Sequence, residues 1–304
     1  MAFRIVMIEN EVDVKIKLDN LVLTTSEGDI WIPVSDISII VLDNLRINVT
    51  TRMLCTLSKN NVALILCDEK HLPIGLFCSY DNHSRMFKHL EYQINTSAEF
   101  YDCIWQQIVK IKIKNQADVI DILGKSENVC NAIMQMANDT KVGDTTNREA
   151  HAAKLYFNEL MDSSFSRGNE EILLNSGLDY GYTIIRSYLA RVCVGYGLNS
   201  QLGIHHRNEY NRFNLIDDLM EPIRPMLDYY VYLLLGDEEV FTGEHRKKII
   251  NFLNHKIVYR SKKMFIANMI EEYVSQFAAM IVNNRENIDI PLFEGYIGDV
   301  ENGV

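Results

Sequence analysis

The sequence is organised around one segment, which begins Gly203-Ile204-His205-His206-Arg207 and, after a short polar link, ends Asn214-Leu215-Ile216-Asp217-Asp218-Leu219-Met220-Glu221-Pro222-Ile223-Arg224-Pro225. The first part predicts a loop that presents two neighbouring imidazoles. The second predicts a helix capped by Asn214. Asp218 and Glu221 are spaced i,i+3, and Asp217 and Glu221 are spaced i,i+4, so both pairs can share a face of that helix.

The acids of this helix lie beside apolar positions such as Leu215 and Leu219. A carboxylate that borders a core face is costly unless a partner compensates its charge. A divalent cation is one such partner, and an imidazole close by in sequence could be a second ligand of it. The segment is therefore a candidate metal site.

A second segment lies upstream, at Thr145–Phe157, and predicts the start of a helix. We expect Thr146 or Asn147 to cap it and Glu149 to lie in its first turn. Glu149 alone could be an acid that the helix dipole favours. It is also well placed to point from the helix end into a shared site.

Composition places the chain among soluble globular proteins. It has 304 residues, 47% hydrophobic and 23% charged. No apolar run approaches the roughly 18 residues that a membrane helix needs. The first residues enter a strand-like pattern without signal-peptide anatomy, and the six cysteines lack CxxC spacing, which argues against a zinc knuckle. We therefore expect a cytoplasmic protein with reduced thiols and no membrane partner.

The charge distribution allows two interpretations. A formal net charge of −11 counts against DNA binding, because affinity for DNA depends on neutralised phosphates. The segment 245–263, however, contains seven Lys or Arg residues and no acid. It is either a solvated helix face or a local basic surface on an acidic protein.

The periodicity predicts an α+β fold, with a small β-rich N-terminal domain followed by a larger all-α domain, which holds the candidate metal site and is expected to be the catalytic domain. Residues 1–80 read as strands, with a hairpin around Ser26–Asp29 and buried strands at Ile37–Leu42 and Val62–Cys67. This part is expected to be a dimerisation or scaffold domain. Residues 81–283 read as helices, and residues 284–304 as a polar, mobile tail.

Within the helical part, one long apolar helix at Leu178–Tyr196 is expected to be central and buried. Ala98–Ile113 and Gln116–Leu123 read as two separate helices. Pro222 and Pro225 predict a kink after the acids.

Four pieces of sequence, taken in order, resemble one known family. They are Glu149 in a helix that ends Leu155-Tyr156-Phe157, then Leu178-Asp179-Tyr180-Gly181-Tyr182, then Gly203-x-x-His206, then Asp218-Leu219-Met220-Glu221-Pro222-x-Arg224-Pro225. This ordered set resembles the CRISPR-associated spacer-acquisition integrase and endonuclease family, over nearly the whole chain. The start Arg148-Glu149-x-His151-x-Ala153 resembles the type II branch, which works beside a single large RNA-guided effector nuclease.

The resemblance implies site residues. In the family, the glutamate at the helix start, the histidine of Gly-x-x-His and the last acid of the Asp-Leu-Met-Glu run hold the metal ion. Here they are Glu149, His206 and Glu221, as catalytic residues and metal ligands. Asp218 matches a further family acid and is implied as an auxiliary ligand. His205 stays an alternative to His206, because it is one residue away and chemically equivalent.

Basic side chains near these ligands, and those of segment 245–263, are expected to contact DNA. They are Arg148, Arg207, Arg212, Arg224, Arg246, Lys247, Lys248, Lys256, Arg260, Lys262 and Lys263. For Arg224 the alternative is an ion pair with Asp228 at i,i+4.

The implied activity is insertion of short foreign DNA into a CRISPR array, by attack of a 3′-hydroxyl on a repeat-boundary phosphodiester. Carboxylates with one imidazole suit Mg²⁺ or Mn²⁺. The implied partners are a second copy of the chain, the small second CRISPR-associated adaptation protein, and double-stranded DNA as spacer precursor and repeat array. The effector nuclease and a ring-forming accessory protein are further expected partners.

Two other functions remain open on sequence alone. One is a metal-dependent nuclease or phosphoesterase that hydrolyses DNA without joining strands, for which the same ligands would serve. The other is a non-catalytic DNA-binding assembly subunit, in which the basic segment would matter more than Glu149.

Overall fold

The computed structural model describes residues 4–25, 28–80, 83–161, 172–283, 285 and 287–298, and it confirms the predicted α+β class. The N-terminal part contains seven strands and one helix. They are β1 (Arg4–Ile8), β2 (Asp13–Lys17), β3 (Asn20–Thr25), β4 (Gly28–Pro33), β5 (Ile37–Leu42), α1 (Thr51–Lys59), β6 (Ala63–Cys67) and β7 (Pro73–Phe77). The predicted strands at Ile37–Leu42 and Val62–Cys67 are thus present, while Ser26 and Glu27 of the hairpin turn lie outside the described residues.

Two sheets make up this N-terminal part. One has the order β1-β5-β6-β7, with β5 parallel to both β1 and β6 and with β7 antiparallel at the edge. The other is an antiparallel meander, β2-β3-β4. Pro73 lies in β7, where a missing backbone donor costs least. Helix α1 begins after Thr50, whose side chain accepts from the Met53 N–H.

The second part is mainly helical. Its elements are α2 (Met86–Asn95), α3 (Ala98–Ile122), α4 (Glu127–Asp139), α5 (Arg148–Leu160), α6 (Leu173–Gly195), α7 (Asn214–Met220), α8 (Arg224–Leu235), α9 (Gly243–Asn251), β8 (Lys256–Tyr259), β9 (Lys262–Phe265), α10 (Ile266–Asn283) and β10 (Tyr296–Gly298). The predicted central helix corresponds to α6, most of whose residues from Leu178 to Cys193 are buried. No helix in the described ranges is long and apolar enough to cross a membrane.

Three predictions about this part need correction. It is not all-α, because β10, β8 and β9 form an antiparallel sheet. The two helices predicted before Leu123 are one continuous helix, α3. The kink expected at the prolines is a break between α7 and α8, with Pro225 in the first turn of α8, where its missing N–H is tolerated.

Residues 287–298 also differ from the expected mobile tail. Within residues 287–298, Phe293 is buried and its N–H donates to Asn115 Oδ1 at 2.9 Å. Asn115 Nδ2 in turn donates to the Pro291 carbonyl at 3.0 Å. The buried Phe293 and these hydrogen bonds hold the stretch against α3, and β10 pairs with β8. The polar composition of the tail gave no sign of these contacts.

The central parallel strands are buried on both faces, as their apolar runs predict. Ile40, Leu42 and Leu64 pack into a core inside the N-terminal part. Ile39 and Ile65 face the opposite way and join the core of the helical part. The sheet therefore separates two hydrophobic cores, and one of its faces belongs to the core of the helical part.

Candidate active site

Glu149 lies in the first turn of α5, at an N-terminus that Asp144 holds. The Asp144 carboxylate accepts from the N–H groups of Arg148 at 2.8 Å and Glu149 at 3.0 Å. Asn147 precedes the helix with a left-handed φ of 52° and makes no capping bond. The predicted cap at Thr146 or Asn147 is therefore wrong. The position predicted for Glu149 is confirmed.

The carboxylate of Glu149 forms an ion pair with a buried lysine, Lys112. Lys112 Nζ, on α3, lies 2.7 Å from Glu149 Oε1 and also forms an ion pair with Glu221 Oε2. Lys112 is only 8% exposed. The ammonium thus bridges two acids that are 72 residues apart in the sequence (221 minus 149).

Glu221 follows the last residue of α7 and is buried. Its second carboxylate oxygen lies 3.1 Å from Arg224 Nε. The Arg224 guanidinium also lies over the Tyr182 ring, 4.6 Å from its centroid, and Asp228 accepts from the Tyr182 hydroxyl. Of the two roles expected for Arg224, the structure shows an ion pair, but with Glu221 at i−3.

These contacts set the charge states of the buried groups. Burial alone would lower the pKa of Lys112, but the Glu221 and Glu149 carboxylates outweigh it and raise that pKa. Burial alone would raise the pKa of Glu221, but Arg224, Lys112 and His206 together lower it. Glu221 and Lys112 are therefore ionised at neutral pH.

Asp218 points away from Glu221, to the loop that precedes α7. Its carboxylate accepts from the N–H groups of Ile204 at 2.6 Å, His205 at 2.9 Å and His206 at 3.3 Å, and lies 2.5 Å from His206 Nδ1. Asp218 is fully buried. This carboxylate therefore holds the loop and orients one imidazole, although i,i+3 spacing had suggested a face shared with Glu221.

The nearby acids affect the pKa of His206. Its hydrogen bond to Asp218 is the main cause of a raised pKa, burial opposes it, and the charges of Asp218, Glu221 and Glu149 add to the rise. With Nδ1 on Asp218, Nε2 is the ring nitrogen that remains for a ligand, which is the usual arrangement behind a metal-binding histidine.

His205 occupies a different environment. Its ring stacks on the indole of Trp105 with 4.5 Å between centroids and an interplanar angle of 1°. Trp105 also contacts His206 edge-on at 5.7 Å. The two neighbouring histidines thus pack against one buried tryptophan in different orientations.

Asp217 and Asn214 also form hydrogen bonds with the loop that precedes α7. Asp217 accepts from Arg186 Nε at 2.9 Å and from Asn211 Nδ2 at 2.8 Å. Asn214 does not cap α7, which begins after Phe213; its Nδ2 donates to the carbonyls of Gln201 and Asn208. The polar residues of α7 therefore hold residues 201–211, which include His206, in position through hydrogen bonds.

The side chains of this site are of the types that bind a divalent cation, namely carboxylates and an imidazole. The carboxylates of Glu149 and Glu221 converge on the Lys112 ammonium, and His206 has an imidazole that a third carboxylate, Asp218, orients. Within the described parts of the chain, however, no group of three or more His, Cys, Asp or Glu side chains is arranged to hold a metal ion. The cation between Glu149 and Glu221 is Lys112.

Sequence reasoning missed Lys112, although a signal was present. The buried stripe of α3 runs through Tyr101, Trp105, Ile108, Lys112 and Gln116, at spacings of three and four. A lysine in such a stripe needs a buried anionic partner, because an uncompensated charge there is costly.

Two of the basic residues expected to contact DNA border a groove next to the His206 loop. Arg207 and Arg212 are exposed and line a cavity of about 810 Å³, together with Tyr101, Tyr210 and Asn214. Arg148 is half-buried, and its Nε has no hydrogen-bond partner within the described part of the chain.

The basic segment 245–263 does not form a single helix face, since it runs through α9, a short 3₁₀ turn and the β8–β9 hairpin. Arg246 is buried and its Nε lies 3.1 Å from Asp43 Oδ2. Lys247 pairs with Glu9 at 2.8 Å, and Arg260 with Asp289 at 3.0 Å. Lys248, Lys262 and Lys263 are exposed, and Lys256 lies over the Phe265 ring.

Solved structures share this architecture. A casposase bound to its integration product superposes with a TM-score of 0.74 at 18% identity, covering 95% of this chain and 93% of that chain. A chain of a Cas6-RT-Cas1–Cas2 complex gives 0.73 at 16% identity, covering 94% of this chain and 36% of that chain. The chain therefore has the fold of these proteins.

The chain belongs to the CRISPR associated protein Cas1 family, whose model matches residues 5–254. It is 32% identical to the CRISPR-associated endonuclease Cas1 of Neisseria meningitidis serogroup C (strain 8013) over 295 residues, which cover 96% of each protein. The family predicted from the four sequence pieces is confirmed.

Proposed function

We propose that this protein is a metal-dependent DNA endonuclease and integrase, which inserts short foreign DNA into a CRISPR array by attack of a 3′-hydroxyl on a repeat-boundary phosphodiester. One observation carries the proposal. Glu149 and Glu221, from distant segments, converge on one buried cation beside His206, which Asp218 orients. Family membership and the fold shared with a casposase bound to its integration product support it.

In this proposal Glu149, His206 and Glu221 hold Mg²⁺ or Mn²⁺. The ion would neutralise charge on the phosphate and favour the oxygen nucleophile. Asp218 keeps the His206 ring in place through Nδ1, and we assign it that positioning role instead of a ligand role. His206 is preferred to His205 because the Glu149 and Glu221 charges act on it, whereas His205 is stacked on Trp105.

Double-stranded DNA is the proposed substrate. The groove beside the His206 loop is bordered by exposed Arg207 and Arg212, and Arg148 adjoins the ligand Glu149. Lys248 on α9 and Lys262 and Lys263 on β9 are further exposed basic side chains. Arg246 is left out of this set, because its guanidinium is buried against Asp43.

The proposed partners follow from the family and from one surface. A chain of similar fold occurs in a complex that contains Cas2, which supports assembly with the small second adaptation protein. The meander β2-β3-β4 exposes Leu18, Ile30 and Trp31, and such apolar exposure favours a homodimer through the N-terminal part. We propose the type II branch, with its RNA-guided effector nuclease and a ring-forming accessory protein, from the Arg148–Ala153 motif.

The test is a strand-transfer assay. Labelled short duplex DNA with 3′-hydroxyl ends is incubated with a supercoiled plasmid that carries repeats, the small partner protein, and Mn²⁺, Mg²⁺ or a chelator. We expect metal-dependent joining by the wild type and by Glu91→Gln, an exposed acid on α2. Glu149→Gln and Glu221→Gln should lose joining by about 100-fold or more, as expected for loss of a metal ligand.

Three other results would contradict the proposal, either in its function or in its metal ligands. Metal-dependent nicking without joining would indicate a nuclease that hydrolyses DNA. Joining that persists in Glu221→Gln would contradict the ligand assignment. DNA binding without any metal-dependent chemistry would indicate an assembly subunit.

A further inference from the structure

The charges around Lys112 are already balanced without a metal ion. Lys112 and Arg224 carry two positive charges, and Glu149 and Glu221 carry two negative charges, within one buried cluster. A divalent ion added to this cluster would leave two uncompensated positive charges in a low-dielectric site, which is costly. Something positive therefore has to leave when the ion arrives.

Lys112 occupies the position proposed for the metal ion, between Glu149 and Glu221. Its ammonium contacts both proposed ligand carboxylates, while Arg224 contacts Glu221 alone and stacks on Tyr182. We propose that Lys112 is a tethered counter-cation, which holds Glu149 and Glu221 together in the metal-free protein and is displaced when a divalent cation binds them. This inference rests on the metal dependence proposed above.

The structure provides a place for the displaced ammonium. A cavity of about 250 Å³ opens beside Lys112, and Gln116, Tyr182 and Asp228 are among the residues that line it. Asp228 is a buried carboxylate, so the lysine can leave one anionic environment for another. The flexible four-carbon stem of lysine permits such a movement without a shift of α3.

The tethered cation has a consequence for metal affinity. An ammonium that must be displaced competes with the metal ion, so the free protein should bind divalent ions weakly. Removal of the charge should strengthen that binding, because Glu149 and Glu221 would then lose the ammonium that they share and no displacement would be needed. A lysine that served only packing or stability would have the opposite effect, because its loss would disorder the two carboxylates.

The experiment measures Mn²⁺ binding without DNA, by the electron paramagnetic resonance signal of free Mn²⁺. It compares the wild type with Lys112→Met, which keeps the length of the side chain and removes its charge. Lys114→Met is the matched control, since Lys114 lies on the same helix and makes a partly exposed ion pair with Glu294 at 3.5 Å. We expect Lys112→Met to bind Mn²⁺ roughly tenfold more tightly than the wild type, about 1.4 kcal/mol, and Lys114→Met to be unchanged.

A second measurement and a second variant cover the case in which Lys112→Met folds poorly. The melting temperature of Lys112→Met should rise more with Mn²⁺ than that of the wild type, since the ion replaces the lost charge. Lys112→Arg keeps the charge, and we expect it to fold and to bind Mn²⁺ no more tightly than the wild type. Tighter binding by Lys112→Arg would contradict displacement.

Two failures can be told apart. Mn²⁺ binding that depends on Glu221 in the wild type, but is unchanged or weaker in Lys112→Met, would overturn the role of Lys112 and leave the proposed function standing. Mn²⁺ binding that is insensitive to Glu149→Gln and Glu221→Gln, in the presence and absence of the 3′-hydroxyl duplex, would overturn both.

Discussion

At the scale of single residues, the site depends on buried acids that have different partners. Asp218 and Glu221 are three residues apart, yet Asp218 receives the N–H groups of the His206 loop and Glu221 receives two cations. Asp218 therefore holds the loop through its hydrogen bonds, and its loss should disturb the position of His206 before it disturbs Glu149 and Glu221.

The first prediction concerns Asp218→Asn. The amide cannot accept at both oxygen positions, so at least one buried N–H of the loop is left unpaired. We expect the free energy of unfolding in urea to fall by about 1–3 kcal/mol, the cost of leaving a buried hydrogen-bonding group unpaired.

Asp217→Asn is the neighbouring control. Its partner Arg186 is partly exposed, with a side-chain exposure of 35%, and such pairs contribute about 1 kcal/mol or less. Equal losses in the two variants would contradict the role given to Asp218.

The second prediction concerns pH. The folded-state pKa of His206 is raised, chiefly by Asp218, above an unfolded value of about 6.5. Its contribution to stability is therefore complete below about pH 6.5 and is lost as pH rises through the folded-state pKa. With chelator present, the melting temperature of the wild type should exceed that of His206→Gln at low pH, and the difference should shrink as pH rises. A difference that grows with pH would contradict this assignment.

The choice of Glu149, His206 and Glu221 came from the family resemblance. The sequence itself indicated these residues as candidates, because each lies next to a recognisable local signal: a helix start, a glycine-bounded loop, an acidic helix. It did not predict Lys112, whose meaning depends on where α3 lies relative to α5 and α7. Nor did it predict that Asp144 would cap α5, because Asp144 precedes that helix by four residues and reaches it only through a left-handed turn.

At the scale of elements, α6 and α8 approach closely because of two glycines. A Cβ built on Gly181 would lie 2.6 Å from Leu227 Cδ2 and 3.1 Å from Ile249 Cγ2, and one on Gly177 would lie 3.0 Å from Val231 Cγ1. Both glycines are on the face of α6 that packs on α8. Since α8 begins at Arg224, this contact positions the guanidinium that pairs with Glu221.

The third prediction sets helix propensity against packing. Alanine is favoured over glycine in a helix interior by up to about 1 kcal/mol, whereas overpacking a core costs about 1–3 kcal/mol. Because the Leu227 side chain lies well within contact distance, we expect Gly181→Ala to lower the free energy of unfolding.

A double-mutant cycle with Leu227→Ala tests the physical reason for this loss. The smaller side chain makes room for the added methyl group, so the double variant should be more stable than the sum of the single effects, by about 1 kcal/mol. Additive losses, or a stabilised Gly181→Ala, would show that the two helices can separate freely.

The elements that could be predicted are those with a continuous apolar period, such as β5, β6, α6 and α10. The boundaries between elements were harder. Lys114 and Asn115 suggested a break in α3, but Asn115 is buried and binds the carbonyls of Pro222 and Pro291, so polarity there reflects tertiary contacts. The β8–β9 hairpin lies in a charged stretch, and its ladder with β10 joins residues about 40 apart.

At the scale of the whole molecule, two buried arginines clamp the N-terminal part to the helical part. Arg246 of α9 pairs with Asp43, which follows β5, and Asp43 also contacts His71 Nδ1 at 2.9 Å. Arg191 of α6 donates to the Asn61 carbonyl at 2.6 Å and pairs with Glu271. Together with the sheet face that packs into the core of the helical part, these contacts make the N-terminal part more than an appended dimerisation module.

The fourth prediction uses two neighbours on α9 that sequence alone could not distinguish. Arg246→Met leaves the fully buried Asp43 carboxylate without its arginine, so the free energy of unfolding should fall by about 3–5 kcal/mol. Lys247 is exposed, and its pair with Glu9 is a surface pair, so Lys247→Met should cost about 1 kcal/mol or less.

DNA affinity separates the same two residues in the other direction. If the basic segment contacts phosphates, Lys247→Met should weaken binding and reduce its salt dependence by about one phosphate contact. Arg246→Met should leave the salt dependence of the folded protein unchanged, because its guanidinium does not face solvent. A smaller salt dependence in Arg246→Met, with stability intact, would mean that Asp43 releases Arg246 when DNA binds and that the clamp between the two parts opens.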